Sequence, residues 1–235
     1  MSSPSRPPPL RPGGGGRCRV FDAGALDPGR SVALDRAVFE SRRLGLVPDT
    51  IFFYSRDRRT VSLGRFGSEG DVLPGSPEAA VVRRMSGGGT VLTGPGTLIA
   101  SVALGGDIPP RAESFEMICG GIADALRSLG IDAEPKAPND VFAGGGKISG
   151  GAQYRTEGCM IHHATVIVEK DPRTWEILGR KADYDLASVA EILGRAPPRR
   201  EIASAVARGI SRRLGMDAVP GEPTEREMRE SGIRA

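Results

Sequence analysis

Three short stretches of this 235-residue chain carry the side chains that could do chemistry on an anionic ligand. Arg83 to Val91 reads RRMSGGGTV, so two arginines precede three successive glycines. Ala137 to Arg155 reads APNDVFAGGGKISGGAQYR and places Lys147 directly after a glycine run. Cys159 to Val168 reads CMIHHATVIV and holds both histidines of the chain. We expect the three stretches to face one another around one pocket.

Lys147 is the residue on which the chemistry is expected to depend. Its neighbours are Gly, Ile and Ser, which offer few polar side chains to compete for its charge, so its ammonium is well placed to meet an anion. The glycine run after Arg84 lets backbone N–H groups approach an anion closely, and an arginine adds charge-assisted hydrogen bonds. Each feature also has an ordinary explanation, since most strand lysines are solvated and glycine runs form hairpin turns.

Two common phosphate-binding patterns are absent from these stretches. The dinucleotide fingerprint G-x-G-x-x-G fails because Leu92 stands where the last glycine is required after Gly87 and Gly89. The P-loop pattern fails around Lys147 because Ile148 replaces Ser or Thr. The sequence therefore predicts neither a Rossmann nor a Walker site.

Metal and thiol chemistry are disfavoured by the same stretches. His162 and His163 are adjacent in a predicted strand, and successive strand residues point to opposite faces. A metal site built from both is therefore disfavoured, and at most one of them can look into a pocket. Cys159 could act as a nucleophile only with a base within reach.

Asn139 and Asp140 follow Pro138, and this order is typical of an Asx turn as well as of a ligand site.

Composition is that of one globular domain, with 39% hydrophobic and 26% charged residues. No apolar run reaches the roughly 18 residues that a membrane helix needs. The N-terminus also lacks an apolar signal core. We therefore expect a cytoplasmic protein without a membrane partner. Three scattered cysteines exclude a disulfide framework or zinc knuckle. A net charge of +3 from dispersed arginines, with 5% aromatic residues, argues against a nucleic-acid partner.

The elements that must position the three stretches follow from apolar spacing. One helix is predicted after Ser31 as its N-cap and a second after Ser114. Short strands lie around and between these helices, and the chain becomes helical after Pro172. Beyond Pro220 the polar TEREMRES segment is predicted to be weakly helical and frayed.

This order of elements predicts an α+β fold with a mixed, largely antiparallel sheet flanked by helices. No repeat or linker divides the chain. We predict a disordered tail over residues 1–16, one catalytic domain over 17–219 and a polar C-terminal tail over 220–235.

Taken together, the three stretches resemble the lipoate-protein ligase A family, part of the biotin and lipoate ligase and transferase superfamily. The pattern RRxSGGGxV, then PND followed by GxKISGxAQ, then HHxT occurs in that family's order and spacing. Ser62 to Gly67 (SLGRFG) is also similar to the family's early strand and turn. The resemblance covers residues 21–214 and implies a fold like the catalytic core of class II aminoacyl-tRNA and biotin synthetases.

The resemblance implies a role for each matching residue. Lys147 would be catalytic, contacting both the carboxylate of lipoate and the α-phosphate of ATP. Asn139 and Asp140 would lie by the adenine, the ribose or a Mg²⁺ ion. The residues that it assigns to holding the nucleotide and the acyl chain are Arg84, Ser86, Gly87, Gly88, Gly89, Thr90, Val91, Leu92, Gly150, Gly151, Ala152 and His163.

The implied reaction has two half-reactions, with ATP and lipoate as substrates and Mg²⁺ as the expected metal. The acid attacks ATP to give an acyl-adenylate and pyrophosphate, and a carrier lysine then displaces AMP. The expected carriers are the lipoyl domains of a 2-oxoacid dehydrogenase acyltransferase subunit and the glycine cleavage H protein. Single-chain ligases have an accessory domain beyond the position of Leu214, and some archaeal relatives supply it as a small separate subunit. We expect the isolated chain to activate lipoate poorly without one.

Some positions depart from the family pattern. Ala164 stands where many ligases have glycine, and Pro138 replaces a Gly-Arg pair. The KAPND segment looks more like the KWPND of biotin ligases, but the GRGRxGR loop of those enzymes is replaced by RRMSGGGTV.

Two alternatives stay open. An octanoyl transferase uses a cysteine thioester and no ATP, and in one such class the cysteine comes shortly before the Gly-Lys stretch, where this chain has none. The chain could instead be a non-catalytic binder or sensor of lipoylated or acylated ligands, but the presence of Arg84, Asn139, Asp140 and Lys147 argues against that.

Overall fold

The computed structural model describes residues 16–68, 78–179 and 182–233, so all but the last residue of the predicted disordered tail lies outside the described residues. Within these ranges no helix is long and apolar enough to cross a membrane. The elements in chain order are β1 (Gly16–Leu26), α1 (Pro28–Arg43), β2 (Thr50–Arg56), β3 (Thr60–Leu63), β4 (Ala80–Arg83), β5 (Val91–Thr93), β6 (Thr97–Gly105), α2 (Arg111–Ser128), β7 (Ala133–Lys136), β8 (Asp140–Ala143), β9 (Gly146–Thr156), β10 (Cys159–Ile167), α3 (Thr174–Leu178), α4 (Val189–Leu193), α5 (Arg199–Arg213), β11 (Met216–Pro220) and α6 (Glu225–Ser231).

The main sheet has eight strands in the order β11-β1-β2-β6-β10-β9-β8-β7. Strand β1 runs parallel to both β11 and β2, and the other neighbours are antiparallel. A small sheet, β4-β3-β5, lies beside it. The predicted mixed, largely antiparallel fold flanked by helices is therefore confirmed. The two edge strands β7 and β11 are not predicted by the sequence pattern, because most of their residues are exposed.

Helices cover both faces of the main sheet, so the central strands β2 and β6 are buried on both sides. Ile51 and Phe53 share the larger core cluster with α2 and α5. Phe52 and Tyr54 point the other way and pack with α1. This alternation of period two decides which face each site residue reaches.

Both predicted helix N-caps are wrong. Helix α1 begins at Pro28 after Asp27, whose carboxylate accepts from the backbone of the first turn. Proline suits the first helical position because it needs no backbone N–H donor there. Ser31 and Ser114 both lie inside a first turn, where each hydroxyl donates to a backbone carbonyl three residues earlier.

The expectation of a frayed C-terminal segment is also wrong. Thr224 and Glu227 form a capping box that starts α6, and Glu227 is completely buried. Its carboxylate accepts two hydrogen bonds from Arg19 of β1, at 2.7 and 2.9 Å. This pairing spans 208 residues of sequence, so local composition could not reveal it. The boundary of the catalytic domain at residue 219 stays a prediction.

Candidate active site

All three stretches contribute to the wall of one cavity of about 360 Å³. The cavity lies on the α1 face of the main sheet and is bordered by the small sheet through Ser62 and Val91. Its volume falls within the range of small-molecule sites in proteins. The arrangement therefore brings a lysine, a glycine loop and a histidine to one cavity, where all three can contact the same ligand.

The floor of the cavity is a row of paired residues that crosses four strands. Tyr54 of β2 pairs with Ile99 of β6, which pairs with Thr165 of β10, which pairs with Gly150 of β9. All four residues line the cavity. Because neighbouring strands lie about 4.8 Å apart, three spacings give a channel roughly 14 Å long. The channel suits an elongated ligand that lies across the strands.

Lys147 occupies the β9 end of this channel. Its Nζ lies 2.7 Å from Oδ1 of Asp140 and 5.0 Å from the ring centre of Tyr184. The ion pair is short, but it is not aligned as a hydrogen bond, so the attraction is electrostatic. A Cβ added at Gly150 would lie 2.7 Å from Lys147 Cε, so glycine there leaves room for the lysine. The backbone of Leu186 forms a parallel bridge with the backbone of Lys147, which fixes the position of the Lys147 Cα.

Arg84 braces the glycine loop from beneath. Its Nη2 donates to the carbonyls of Gly87 and Gly89 at 2.6 and 2.8 Å, and its Nη1 donates to the Ser62 carbonyl at 2.7 Å. Burial and the nearby charge of Arg56 lower the pKa of Arg84 to about 10. Most of its hydrogen bonds therefore hold the loop in place, while its charge adds positive potential to the cavity.

The outer part of the loop is open to a ligand. Gly88 has a φ of +84°, a left-handed conformation that favours glycine. Thr90 lines the cavity, and its buried Oγ1 has no hydrogen-bond partner within the described ranges. A buried hydroxyl without a partner fits a hydrogen-bonding group brought by a ligand.

His163 faces the cavity, and the predicted alternation of the two histidines is confirmed. Its Nδ1 lies 2.8 Å from Ser86 Oγ, and its Nε2 lies 3.2 Å from Asp35 Oδ2. Asp35 also accepts from the hydroxyls of Tyr54 and Ser101, at 2.8 and 3.1 Å. The order Ser–His–Asp resembles a nucleophilic triad, but Ser86 is completely buried and does not line the cavity. The chain of contacts therefore orients His163.

His162 lies on the opposite face, beneath the sheet. Its ring packs edge-on against Phe115, and its Nδ1 is 3.1 Å from Nε2 of Gln153. Burial, with a smaller contribution from His163, lowers the pKa of His162 to about 3, so it is neutral at physiological pH. A Cβ on Gly151 would lie 2.6 Å from His162 Nε2. His162 thus packs behind the floor of the cavity. Within the described residues, no group of three His, Cys, Asp or Glu side chains could hold a metal ion.

Asn139 lies in the turn between β7 and β8 and ties that turn to β9. Its Nδ2 donates to the Gly151 carbonyl at 2.5 Å, and its own carbonyl accepts from the Gly151 N–H at 2.7 Å. Asn139 therefore holds the backbone of β9 and, as the resemblance implies for a site residue, also lines the cavity.

The structure separates the predicted site residues into two groups. Ser86, Gly87, Leu92 and Asp140 do not line the cavity, although Ser86 contacts His163 and Asp140 pairs with Lys147. Leu92 points away from Val91 and packs against the cluster of β3 and α3. The predicted residues that do line it are Arg84, Gly88, Gly89, Thr90, Val91, Asn139, Lys147, Gly150, Gly151, Ala152 and His163.

Sequence reasoning missed the side chains that α1 and β2 contribute. Asp35, Tyr54 and Arg56 all line the cavity and are almost completely buried. A signal for Asp35 was present, because it stands one residue after Leu34 and three before Val38 on the buried face of α1. Charged residues at such positions are rarely buried without a polar partner.

All three cysteines lie away from the cavity wall. Cys18, Cys119 and Cys159 are free and buried. Burial, in each case the largest cause, raises the pKa of Cys18 and Cys159 to about 11 and of Cys119 to about 12. A thiol with so high a pKa is a poor nucleophile near neutral pH, because the thiolate is the reactive form.

Comparison with known proteins identifies the same fold and the same family. The model of the lipoyl protein ligase A/B catalytic domain matches residues 27–211. Octanoyltransferase LipM from Symbiobacterium thermophilum is 28% identical over 91% of this chain and 92% of its own length. A bi-partite lipoate protein ligase from Thermoplasma acidophilum, studied with its E2 lipoyl domain, superposes with a TM-score of 0.77 at 25% identity over 93% of this chain and 91% of that chain. A lipoate-protein ligase A structure with bound ATP superposes with a TM-score of 0.79 at 25% identity over 93% of both chains.

Proposed function

Because this chain belongs to the lipoyl protein ligase A/B catalytic domain family, we propose that it is a lipoate-protein ligase that activates lipoate with ATP. The family contains lipoate ligases and octanoyltransferases, and the chain is an enzyme of that group. The proposed product is an amide between the acid and a lysine side chain of a lipoyl carrier domain.

One observation carries the choice of an ATP-dependent reaction. The ammonium of Lys147 stands at the cavity wall beside Asp140, whereas the cavity wall formed by the described residues includes no thiol. A fixed cation can stabilise charge that develops on an adenylate, but an acyl-thioester route needs an accessible thiolate.

In the first half-reaction a carboxylate oxygen of the acid attacks the α-phosphorus of ATP. The bond from that phosphorus to the bridging oxygen of pyrophosphate breaks, and the acyl-adenylate remains. Attack brings together two anions, so Lys147 lowers the barrier by offsetting their repulsion. Asp140 and the absence of a side chain at Gly150 keep the ammonium positioned for this role.

In the second half-reaction the neutral amine of a carrier lysine attacks the acyl carbonyl carbon. The carbon–oxygen bond to AMP breaks, AMP leaves, and the amine loses its proton to solvent. Negative charge gathers on the carbonyl oxygen before AMP departs, and the same Lys147 ammonium stabilises it.

The channel supports a medium-chain acid as the substrate. Its floor contains Ile99 and its sides contain Val91, Leu178 and Trp175, while its length is roughly 14 Å. The reacting carboxylate would lie by Lys147, and the acyl chain would extend over Ile99 toward β2. Gly88 and the unpaired Thr90 hydroxyl then border the nucleotide.

A magnesium ion fits this site only if most of its ligands come from phosphate and water. Nucleotide-bound Mg²⁺ is commonly held by one or two carboxylates together with phosphate oxygens. Asp140 would offer one carboxylate, and it already pairs with Lys147. Bound Mg²⁺ would neutralise phosphate charge, and Asp140 would orient both the metal and the ammonium.

We propose lipoyl carrier domains as the protein partners. We also propose a cytoplasmic location, because three free cysteines fit a reducing compartment. The bi-partite ligase from Thermoplasma acidophilum supports a second proposal, a small accessory subunit. Adding such a subunit should raise the rate of lipoate activation. Full activation by the isolated chain would count against it.

The second candidate is an octanoyltransferase that uses no ATP, and the LipM relatives favour it. That route needs a nucleophile to carry the acyl group. The buried positions and raised pKa values of the three cysteines argue against it.

Pyrophosphate exchange into ATP distinguishes the candidates. A ligase incorporates labelled pyrophosphate when lipoate or octanoate is present, and Lys147→Ala abolishes the exchange. A transferase shows no exchange but moves octanoate from an octanoyl carrier protein to a lipoyl domain. Binding of lipoate without either activity would leave a non-catalytic binding protein.

A further inference from the structure

The ring of Tyr184 lies against the ammonium of Lys147, although 37 positions separate the two residues in the chain. Nζ of Lys147 is 5.0 Å from the centre of the ring. An aromatic face attracts a cation within roughly 6 Å, and more strongly where the cation is partly removed from water. The Lys147 side chain is 17% exposed, and both residues line the cavity. Tyr184 therefore joins Asp140 as a group that can hold the ammonium.

Backbone hydrogen bonds fix the segment that carries Tyr184. The N–H of Lys147 donates to the Asp185 carbonyl at 2.8 Å, and the N–H of Ala187 donates to the Lys147 carbonyl at 3.0 Å. Gly146 permits this close approach, because a Cβ there would lie 2.9 Å from the backbone nitrogen of Ala187. The last glycine before the lysine thus lets this segment pair beside β9 and bring Tyr184 to the ammonium.

Two aromatic side chains from other elements support the Tyr184 ring. Trp175 of α3 contacts it edge-on, with ring centres 6.3 Å apart and planes at 67°. Phe142 of β8 does the same at 6.2 Å and 76°. Edge-to-face contacts of this kind are favourable beyond the area that they bury. Phe142 also pairs with Lys147 across β8 and β9, so one strand pairing places both the lysine and a support for the ring.

An aromatic face and a carboxylate hold a cation in different ways. The attraction of the ring comes from its quadrupole, so the ring has no net charge and leaves the positive charge of the ammonium in the cavity. Asp140 instead offsets that charge with a full negative charge. A ring can therefore orient the ammonium while its charge stays available to the anionic groups of a ligand.

We propose that Tyr184 is a positioning residue, whose ring face holds the ammonium of Lys147 where the acid and the α-phosphate meet. The proposal rests on the proposed function for the reaction that Lys147 assists. Tyr184 acts through Lys147, and neither its hydroxyl nor a contact with the reacting atoms is required. The electron density of the ring face, and not only its size, should therefore affect the rate of activation.

The first test changes the electron density of the ring at nearly constant shape. Pyrophosphate exchange with saturating lipoate and ATP is measured for Tyr184→Phe, for Tyr184→Leu and for phenylalanine with increasing numbers of ring fluorines at position 184. Tyr184→Phe should stay close to the wild type, and Tyr184→Leu should be about 5-fold slower, the loss of one cation–π contact. Each added fluorine should slow exchange further. Phe66→Leu is the control, because Phe66 is 88% exposed and its ring contacts Arg65 instead of a lysine.

The second test needs no turnover. The lysines of the chain are Lys136, Lys147, Lys170 and Lys181, so an NMR spectrum of protein labelled with ¹³C at the lysine ε carbon contains few signals. Lys147→Ala identifies the signal of interest by its loss. The face of an aromatic ring shifts nearby proton resonances upfield, so the ε protons of Lys147 should be shifted in the wild type and in Tyr184→Phe. Tyr184→Leu should remove the shift.

Equal exchange rates for Tyr184→Phe and Tyr184→Leu would overturn the proposal. So would a rate that does not respond to fluorination, and this series decides the matter even if Tyr184→Leu folds poorly. A raised KM for ATP in Tyr184→Leu with an unchanged maximal rate would assign the ring to the adenine base and overturn it too.

The NMR signal separates this proposal from the ligase reaction. An unshifted Lys147 signal in the wild type would refute the contact with Tyr184, whatever the activity. A shifted signal that depends on Tyr184, in a protein without pyrophosphate exchange, would refute the ligase reaction and support the contact.

Discussion

Nζ of Lys147 lies 2.7 Å from Oδ1 of Asp140, and both atoms border the space that a side chain at position 150 would fill. The three residues belong to two adjacent strands, since Asp140 pairs with Gly150 across β8 and β9. The ammonium is thus held by backbone pairing, a carboxylate and a missing Cβ together. Such fixed charges stabilise a transition state without reorganising.

Replacing Lys147 with alanine should remove both half-reactions. The ammonium offsets phosphate repulsion in activation and carbonyl charge in transfer, so each rate should fall by at least about 100-fold. Pyrophosphate exchange measures the first step, and transfer from synthetic lipoyl-AMP to a lipoyl domain measures the second. Lys136→Ala is the control, because Lys136 is exposed on β7 and contacts Phe142. Loss of activation alone would refute a shared role for Lys147.

Gly150→Ala should reduce activity without removing any functional group. The new Cβ would lie 2.7 Å from Cε and 2.8 Å from Nζ of Lys147, which forces the ammonium to move. A displacement near 1 Å at a catalytic group costs about 100-fold. The rate of adenylate formation and the melting temperature are measured together, with Gly16→Ala as the control because its Cβ meets nothing within 4 Å. Normal turnover by a folded Gly150→Ala protein would contradict the geometry.

Removing all three cysteines should leave activation and transfer nearly unchanged. Cys18, Cys119 and Cys159 are buried, and their raised pKa values keep them protonated. The Cys→Ala triple variant is assayed for pyrophosphate exchange and for acyl transfer from octanoyl carrier protein. The single variants follow if stability falls. Loss of acyl transfer on removal of one cysteine, in a folded protein, would instead support the transferase.

The pH dependence of stability should contain a contribution from His162. Its pKa is about 3 in the folded protein because of burial, against about 6.5 in an unfolded chain. Between these values the unfolded state binds one more proton, so the free energy of unfolding falls by about 1.4 kcal/mol for each pH unit lost.

His162→Gln should remove this part of the slope. Urea unfolding at about pH 7.5 and about pH 5 measures it, and carboxylate titration contributes equally to both proteins. Identical slopes for the two proteins would show that His162 is already protonated or solvated in the folded state.

Glu227→Gln should destabilise the protein strongly. Arg19 and Glu227 form a buried ion pair, and removing one partner of such a pair costs about 3 kcal/mol or more. Urea unfolding measures the loss, with Glu230→Gln as the control because its pair with Arg226 is partly exposed. That control should change the free energy of unfolding by less than about 1 kcal/mol. Equal effects would mean that α6 is not held by Arg19.

The sequence by itself determined the fold class, the family and the residues of the glycine loop and lysine stretch. It also determined that the two histidines face opposite ways, because strand alternation depends on covalent geometry alone. Local patterns of this kind need no knowledge of distant partners. The signal for the start of α1 was local too. Asp27 is the N-cap and Pro28 is the first helical residue, so the helix begins before the predicted cap Ser31.

Only the tertiary structure decided what completes the cavity and the C-terminus. Asp35, Tyr54 and Arg56 become site residues because α1 and β2 pack against strands far along the chain. The polar segment after Pro220 becomes an ordered helix because Arg19 buries Glu227 across 208 positions. Both outcomes depend on contacts between residues widely separated in sequence, whose energies no local pattern contains.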